Sequence, residues 1–112
     1  MKIAVTYDNG RVFQHFGETK NFAIYEINDG NMMSREVRST NGLGHVQLIG
    51  LLQDWGINVL ICGGLGTHAV FKLKEAGIEI FPGCDGDTEL LVKDYLNGNL
   101  KFNMDAVHEC HH

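Results

Sequence analysis

The apolar positions of this chain fall first into short β-like runs and later into helical spacing. Lys2 to Tyr7 reads KIAVTY, a β-branched apolar run, and Asp8-Asn9-Gly10 stops it with a strong turn signal. Val12 and Phe13 fit a brief return strand. Phe22 to Ile27 (FAIYEI) predicts a second strand and Asn28-Asp29-Gly30-Asn31 a second turn. Met32 to Ser39 is mostly polar, as an exposed edge strand hairpinned to its predecessor would be. After Thr40-Asn41-Gly42-Leu43-Gly44 the period changes. Leu48, Leu51, Leu52 and Trp55 recur at helical spacing, and Gly56 supplies a stop.

Asn58 to Cys62 (NVLIC) is almost wholly apolar, which predicts a strand covered on both faces. Gly63-Gly64-Leu65-Gly66 makes a tight loop, and Thr67 is placed to cap a helix carrying Val70, Leu73 and Ala76. Ile78 to Phe81 is a further strand, broken by Pro82-Gly83. A last helix opens within Asp85 to Thr88 and runs to Asn97, with Gly98 as its stop. This order predicts right-handed βαβ crossovers in an α/β fold. The expected architecture is a three-layer α/β/α sandwich with helices on both faces of a five-stranded mixed sheet. Residues 1–100 read as one domain. Residues 101–112 have no clear period and read as a flexible Cys/His-rich extension.

A chain of 112 residues is the size of one domain. It buries roughly 65% of its extended surface, enough for a core without staples. The formal charge of −5 gives no electrostatic reason to hold nucleic acid or anionic lipid. No apolar run reaches membrane-spanning length, and the start MKIAVTYDNG turns polar too soon for a signal peptide. Cys62, Cys84 and Cys110 form no CxxC pair, which argues against a disulfide scaffold or a zinc ribbon and for a reducing, cytoplasmic setting.

Ligands of open α/β sheets sit beyond the carboxyl ends of the strands. Here those ends lead into Asp8-Asn9-Gly10, Gly63 to Gly66 and Pro82 to Gly86, and His45 starts a helix nearby. Gly63, Gly64 and Gly66 allow close backbone approach, and amides beside Thr67 suit an anion. Tight turning explains the same glycines equally well, and neither the P-loop nor the dinucleotide spacing is present. His15, between two aromatics, fits a structural role or a ligand role. His45 fits a cap or a ligand contact, and His68, inside a helix start, fits surface or ligand. Cys62 reads as core. Cys84, in a Gly-rich turn, is expected at the open rim, where ligand, redox and idle roles are all open.

His108, Cys110, His111 and His112 form a soft and borderline ligand set. The run is too short to enclose a metal alone and needs ligands from the rim or a second chain. Asp8, Asp85 and Asp87 give a metal-dependent nuclease only weak support, because Asp85 and Asp87 read more simply as a turn residue and a helix cap.

Together, Val12 to Gly17 (VFQHFG), the strand FAIYEI, the Gly44-His45 step, Cys62 to Ala69 (CGGLGTHA), Gly77-Ile78 and the closing helix up to Leu100 resemble the dinitrogenase iron–molybdenum cofactor biosynthesis family. That group includes NifX, NafY and the C-terminal domain of NifB. The resemblance implies a ribonuclease-H-like fold without nuclease activity. It also implies non-enzymatic binding or carriage of the iron–molybdenum cofactor, a precursor or a related metal–sulfur cluster, exchanged with donor and acceptor proteins. By motif position His15 and His45 are the first cluster contacts carried over. The Cys/His-rich end resembles that of small family members. No radical-enzyme domain is present, so the chain is not expected to build a cluster. A structural or regulatory interaction module without a cluster is the alternative. The charged edge strand (Arg35, Glu36, Arg38) fits a monomer or a weak homodimer.

Overall fold

A computed structural model describes residues 1–108. The elements are β1 (Lys2–Asp8), β2 (Arg11–Val12), β3 (Asn21–Asn28), β4 (Asn31–Ser39), α1 (His45–Asp54), β5 (Val59–Ile61), β6 (Leu65–Gly66), α2 (Thr67–Glu75), β7 (Glu79–Phe81), α3 (Thr88–Leu96) and β8 (Val107–His108). Two 3₁₀ turns, Phe16–Glu18 and Met104–Ala106, complete the chain.

The main sheet runs β4-β3-β1-β5-β7, the expected five strands, with β2 added as a short sixth against the end of β1. β1 lies antiparallel to β3 and parallel to β5, and β5 is parallel to β7. Among the described residues β4 pairs only with β3, and it is exposed along most of its length, as its polar sequence predicts.

Side-chain alternation along β1 separates two cores. Ala4 points to one face, where Phe22, Ile24 and Leu60 meet Leu48 and Leu52 of α1 and Leu73 of α2. Ile3 and Val5 point to the other, with Tyr25 and Ile61 against Leu91 and Val92 of α3. Each fully buried Leu or Ile contributes about 1.5–3 kcal/mol. This is a mixed sheet with helices on both faces.

Each of the three helices is followed directly after its C-cap by a positive-φ glycine, Gly56, Gly77 or Gly98, at the stops the sequence predicts. Asp87 caps α3, its carboxylate accepting from the Leu90 N–H at 3.0 Å. The expected cap at Thr67 moves by one position: Gly66 is the N-cap and Thr67 the first helical residue.

The segment read as a flexible extension is seated on the domain over its described part. The Asn103 N–H donates to the Pro82 carbonyl at 2.8 Å, and the Phe102 ring meets Phe81 edge-on at 5.0 Å. β8 then pairs parallel with β6, Leu65 opposite Val107 and Gly66 opposite His108, in a second small sheet. Hydrophobic periodicity misses such a segment, because backbone pairing and single ring contacts hold it.

Candidate functional site

β1, β5 and β7 run parallel, so their carboxyl ends share one rim. An arch from Val12 to Phe16 crosses this rim, and its backbone is bound on every side. The Val12 N–H donates to the Gly86 carbonyl at 2.9 Å, and the Phe13 N–H to the Thr6 carbonyl at 3.0 Å. The buried Thr6 hydroxyl donates to the Phe13 carbonyl at 2.7 Å. The Gly64 N–H donates to the Gln14 carbonyl at 2.7 Å, and the Phe16 N–H to the Gly64 carbonyl at 3.0 Å.

Gly63 makes this lacing possible. A Cβ there would stand 2.6 Å from Gln14 Cα and 2.7 Å from its carbonyl oxygen, both backbone atoms that cannot swing away. At Gly63, close chain packing by itself requires a glycine. Gly64 has its N–H and carbonyl in the arch, the Gly63 carbonyl accepts from the Gly83 N–H at 2.9 Å, and Gly66 pairs with β8. The expectation that Gly63, Gly64 and Gly66 cradle an anion is corrected to this extent: the Gly64 amide is already committed to the arch.

His15 itself is extended (φ −120°, ψ 101°) with its side chain exposed. Phe16 on its C-terminal side is buried in the core, and the Phe13 ring meets the imidazole edge-on at 6.2 Å. A cleft of about 430 Å³ opens beside it, lined among others by Asp8, Arg11, Gln14, His15 and Asp85. Arg11 Nη2 lies 3.6 Å from Asp85 Oδ1, and both side chains are largely exposed, so the pair is weak and exchangeable. Gln14 Nε2 donates to the Cys84 carbonyl at 3.3 Å and to Asp85 Oδ1 at 3.4 Å, tying the arch to the turn before α3.

Beyond Phe13 a smaller cleft of about 240 Å³ includes Tyr7, Asp8 and Lys20. Across the two clefts the cations Arg11 and Lys20 are matched by the carboxylates Asp8 and Asp85, so the lining is balanced in formal charge. Sequence reasoning missed Arg11, Gln14 and Lys20 as site residues. Only the position of Arg11 directly after the Asn9-Gly10 turn marks it.

The other candidates fall differently. Cys84, expected at the open rim, is buried, about 1% exposed. Its Sγ lies within hydrogen-bond reach of the Phe81 carbonyl at 3.4 Å and the Lys101 carbonyl at 3.5 Å. Burial pushes its thiol up to about 11, which leaves it protonated and a poor ligand at neutral pH. Cys62 is buried in the opposite core, as expected, and burial raises its thiol as well.

His45 starts α1, which packs on the Phe16–Glu18 turn beside His15. The Thr40 N–H donates to the Lys20 carbonyl at 2.9 Å and fixes the loop before α1 to the same end of the sheet. His68 is exposed in the first turn of α2 and does not line the cleft. His108 lies in β8. Cys110, His111 and His112 lie outside the described residues. Among the described residues no three His, Cys, Asp or Glu side chains stand close enough to hold a metal ion. The nuclease alternative therefore gains no support, and the cleft offers a guest few contacts. No helix among the described residues is long and apolar enough to cross a membrane.

The model of the family described as dinitrogenase iron-molybdenum cofactor matches residues 1–98. An uncharacterised protein of Methanocaldococcus jannaschii is 28% identical over 106 residues, 90% of each chain. The crystal structure of the protein designated PH0822 is similar with a TM-score of 0.88, at 24% identity over 95% of this chain and 97% of that one. The apo form of the orange protein from Desulfovibrio gigas is similar with a TM-score of 0.79, at 24% identity over 92% of each chain. These structural likenesses establish a shared fold.

Proposed function

Since the chain belongs to the dinitrogenase iron-molybdenum cofactor family, we infer that its non-enzymatic role is to hold and pass on an iron–molybdenum cofactor, a precursor or a related metal–sulfur cluster at the His15 cleft. The observation that carries this reading is the arch. Five backbone or hydroxyl hydrogen bonds fix the chain around His15 while its imidazole stays in solvent beside Arg11. A rigid main chain with one exposed nitrogen ligand suits a guest that must be released again. Arg11 supplies positive charge once its exposed partner Asp85 is displaced.

His45 is the second contact in this reading, because α1 starts at the same end of the sheet. Cys84 and the glycine amides support the walls. The sheet order β4-β3-β1-β5-β7, with helices on both faces, supports a ribonuclease-H-like label for the fold. The partners in this reading are donor and acceptor proteins of the reducing cytoplasm, met as a monomer or weak homodimer.

Anaerobic reconstitution with iron, sulfide and molybdate tests the reading. Metal and sulfide per chain are measured in the wild type and in a His15→Ala/His45→Ala double variant. Retention in the wild type and loss in the variant is expected. Equal retention, or none in either, contradicts it. The absence of a three-ligand group among the described residues favours a second reading, an interaction module without a cluster. An empty wild-type protein that still binds a partner would establish that one.

A further inference from the structure

We propose that β4 is a self-pairing edge: two copies of the chain join strand to strand, antiparallel, about a two-fold axis at Val37, so that Glu36 of each copy faces Arg38 of the other. This goes beyond the cargo reading and does not depend on it. β4 stands at one end of the sheet order, and among the described residues its outer edge has no partner. Every residue from Met33 to Val37 is exposed, so neither face of this stretch is covered. Val37, 42% exposed, is an apolar side chain left open in the middle of a polar strand.

The strand itself restricts how a second copy can pair. Against β3, Glu26 faces Ser34 and Ile27 faces Met32, which leaves Met33 as a bulge. A bulge bends the strand and interrupts the ladder. The regular stretch is therefore Ser34 to Ser39. In an isologous pair about an axis normal to the sheet, facing residues share one side of the sheet, and sides alternate along the strand. One residue must then sit on the axis opposite itself. Arg35, Glu36 or Arg38 in that place would set like charges directly against each other, which destabilises the pair. Ser34 would carry the ladder through the bulge, and Ser39 lies at the strand's end. Val37 is the centre that remains.

With Val37 against Val37, Arg35 meets Ser39, and Glu36 meets Arg38 on each side of the axis. Within one chain Arg38 Nη2 already lies 3.0 Å from Glu36 Oε2, on the same face of the strand. Pairing closes the two chains' charges into a square in which neighbouring corners have opposite sign. The Trp55 ring holds Arg38 in place for this, with the guanidinium 5.2 Å from the ring centroid.

The assembly also ends at two chains. The opposite edge, β7, has three residues and runs into Pro82, whose carbonyl accepts from the Asn103 N–H of the C-terminal segment. A second copy finds no comparable edge there, so pairing does not propagate. Asn21 lines the smaller cleft and faces Ser39, so each cleft lies at the Ser39 end of its own β4. Antiparallel pairing points the two clefts in opposite directions.

Sedimentation equilibrium of the full chain up to millimolar concentration tests this. A weak, concentration-dependent dimer is expected, because the paired stretch from Arg35 to Ser39 is short. Glu36→Arg and Arg38→Glu each set like charges across the axis and should weaken association at least about tenfold. The chain carrying both reversals regains every opposite-charge pair and should dimerise as the wild type does. Circular dichroism checks that the variants fold. With Cys110 replaced by Ser, Val37→Cys should close a disulfide across the axis under mild oxidation, its Cα atoms about 4.5–5.5 Å apart, and Ser34→Cys should not. A wild type that stays monomeric, association that the single reversals leave unchanged, no rescue in the doubly reversed chain, or equal cross-linking of the two cysteine variants overturns the proposal.

Discussion

The arch at His15 and the turn at Cys84 occupy the same rim, both bordered by glycines, both bearing a residue able to bind metal. They end in opposite states. Arch hydrogen bonds are made by main chain, Thr6 and Gln14, none by the imidazole, which is exposed. In the turn the side chain itself is engaged: Cys84 Sγ points at the Phe81 and Lys101 carbonyls beneath the C-terminal segment. A ligand-type residue in a glycine loop is available only when backbone groups meet the loop's own hydrogen-bonding needs.

The largest way to break this contrast is Gly63→Ala. Its new Cβ would meet Gln14 main chain at 2.6 Å, so the arch must move as a unit. A loss of about 3 kcal/mol is expected in urea unfolding, at the upper end of overpacking costs. A change below about 1 kcal/mol would show that the arch is not held as described.

Tyr25→Phe sharpens the comparison from the core side. The Tyr25 hydroxyl meets Thr88 Oγ1 at 2.8 Å in a buried pair at the start of α3, so its removal should cost about 1–2 kcal/mol. Chemical denaturation measures it, and the effect should exceed that of losing an exposed pair such as Lys93–Glu89.

The buried thiol makes a pH prediction. The Cys84 pKa is raised to about 11 in the folded chain, so above the ordinary thiol value of 9.0 the unfolded state releases a proton that the folded state keeps. Stability from this group is fully present below the unfolded value and falls as pH rises through the folded one. Cys84→Ala should flatten the alkaline limb of a plot of Tm against pH. An unchanged limb would mean that Cys84 ionises freely.

His15→Ala should have the smallest effect on stability, within about 0.5 kcal/mol, as for an exposed side chain whose one described contact is the edge-on Phe13 ring. A larger loss in thermal unfolding would make His15 a structural residue.

Much of the fold is legible in the sequence. FAIYEI, NVLIC and IEIF carry the strand signal, and Leu48, Leu52 and Leu73 carry the helical one. The site is less legible, because its decisive features are long-range. The near-contact of Gly63 with Gln14 and the covering of Cys84 by Lys101 join residues far apart in sequence. Residues 101–108 escape detection because they are held by scattered long-range contacts: Phe102 on Phe81, Asn103 on Pro82, and the pairing of Val107 and His108 with Leu65 and Gly66. Glycine density reads the same whether a loop cradles an anion or lets two chains touch.

Central to the proposed function is the assignment of the His15 imidazole, and not the Cys84 thiol, as the contact for a metal–sulfur guest. The direct measurement is long-range ¹H–¹⁵N NMR of the histidine rings during anaerobic titration with tetrathiomolybdate, a diamagnetic molybdenum–sulfur anion. The His15 ring nitrogens should shift progressively and the Cys84 amide should stay in place. An unmoved His15 ring, with shifts centred on Cys84, would contradict it.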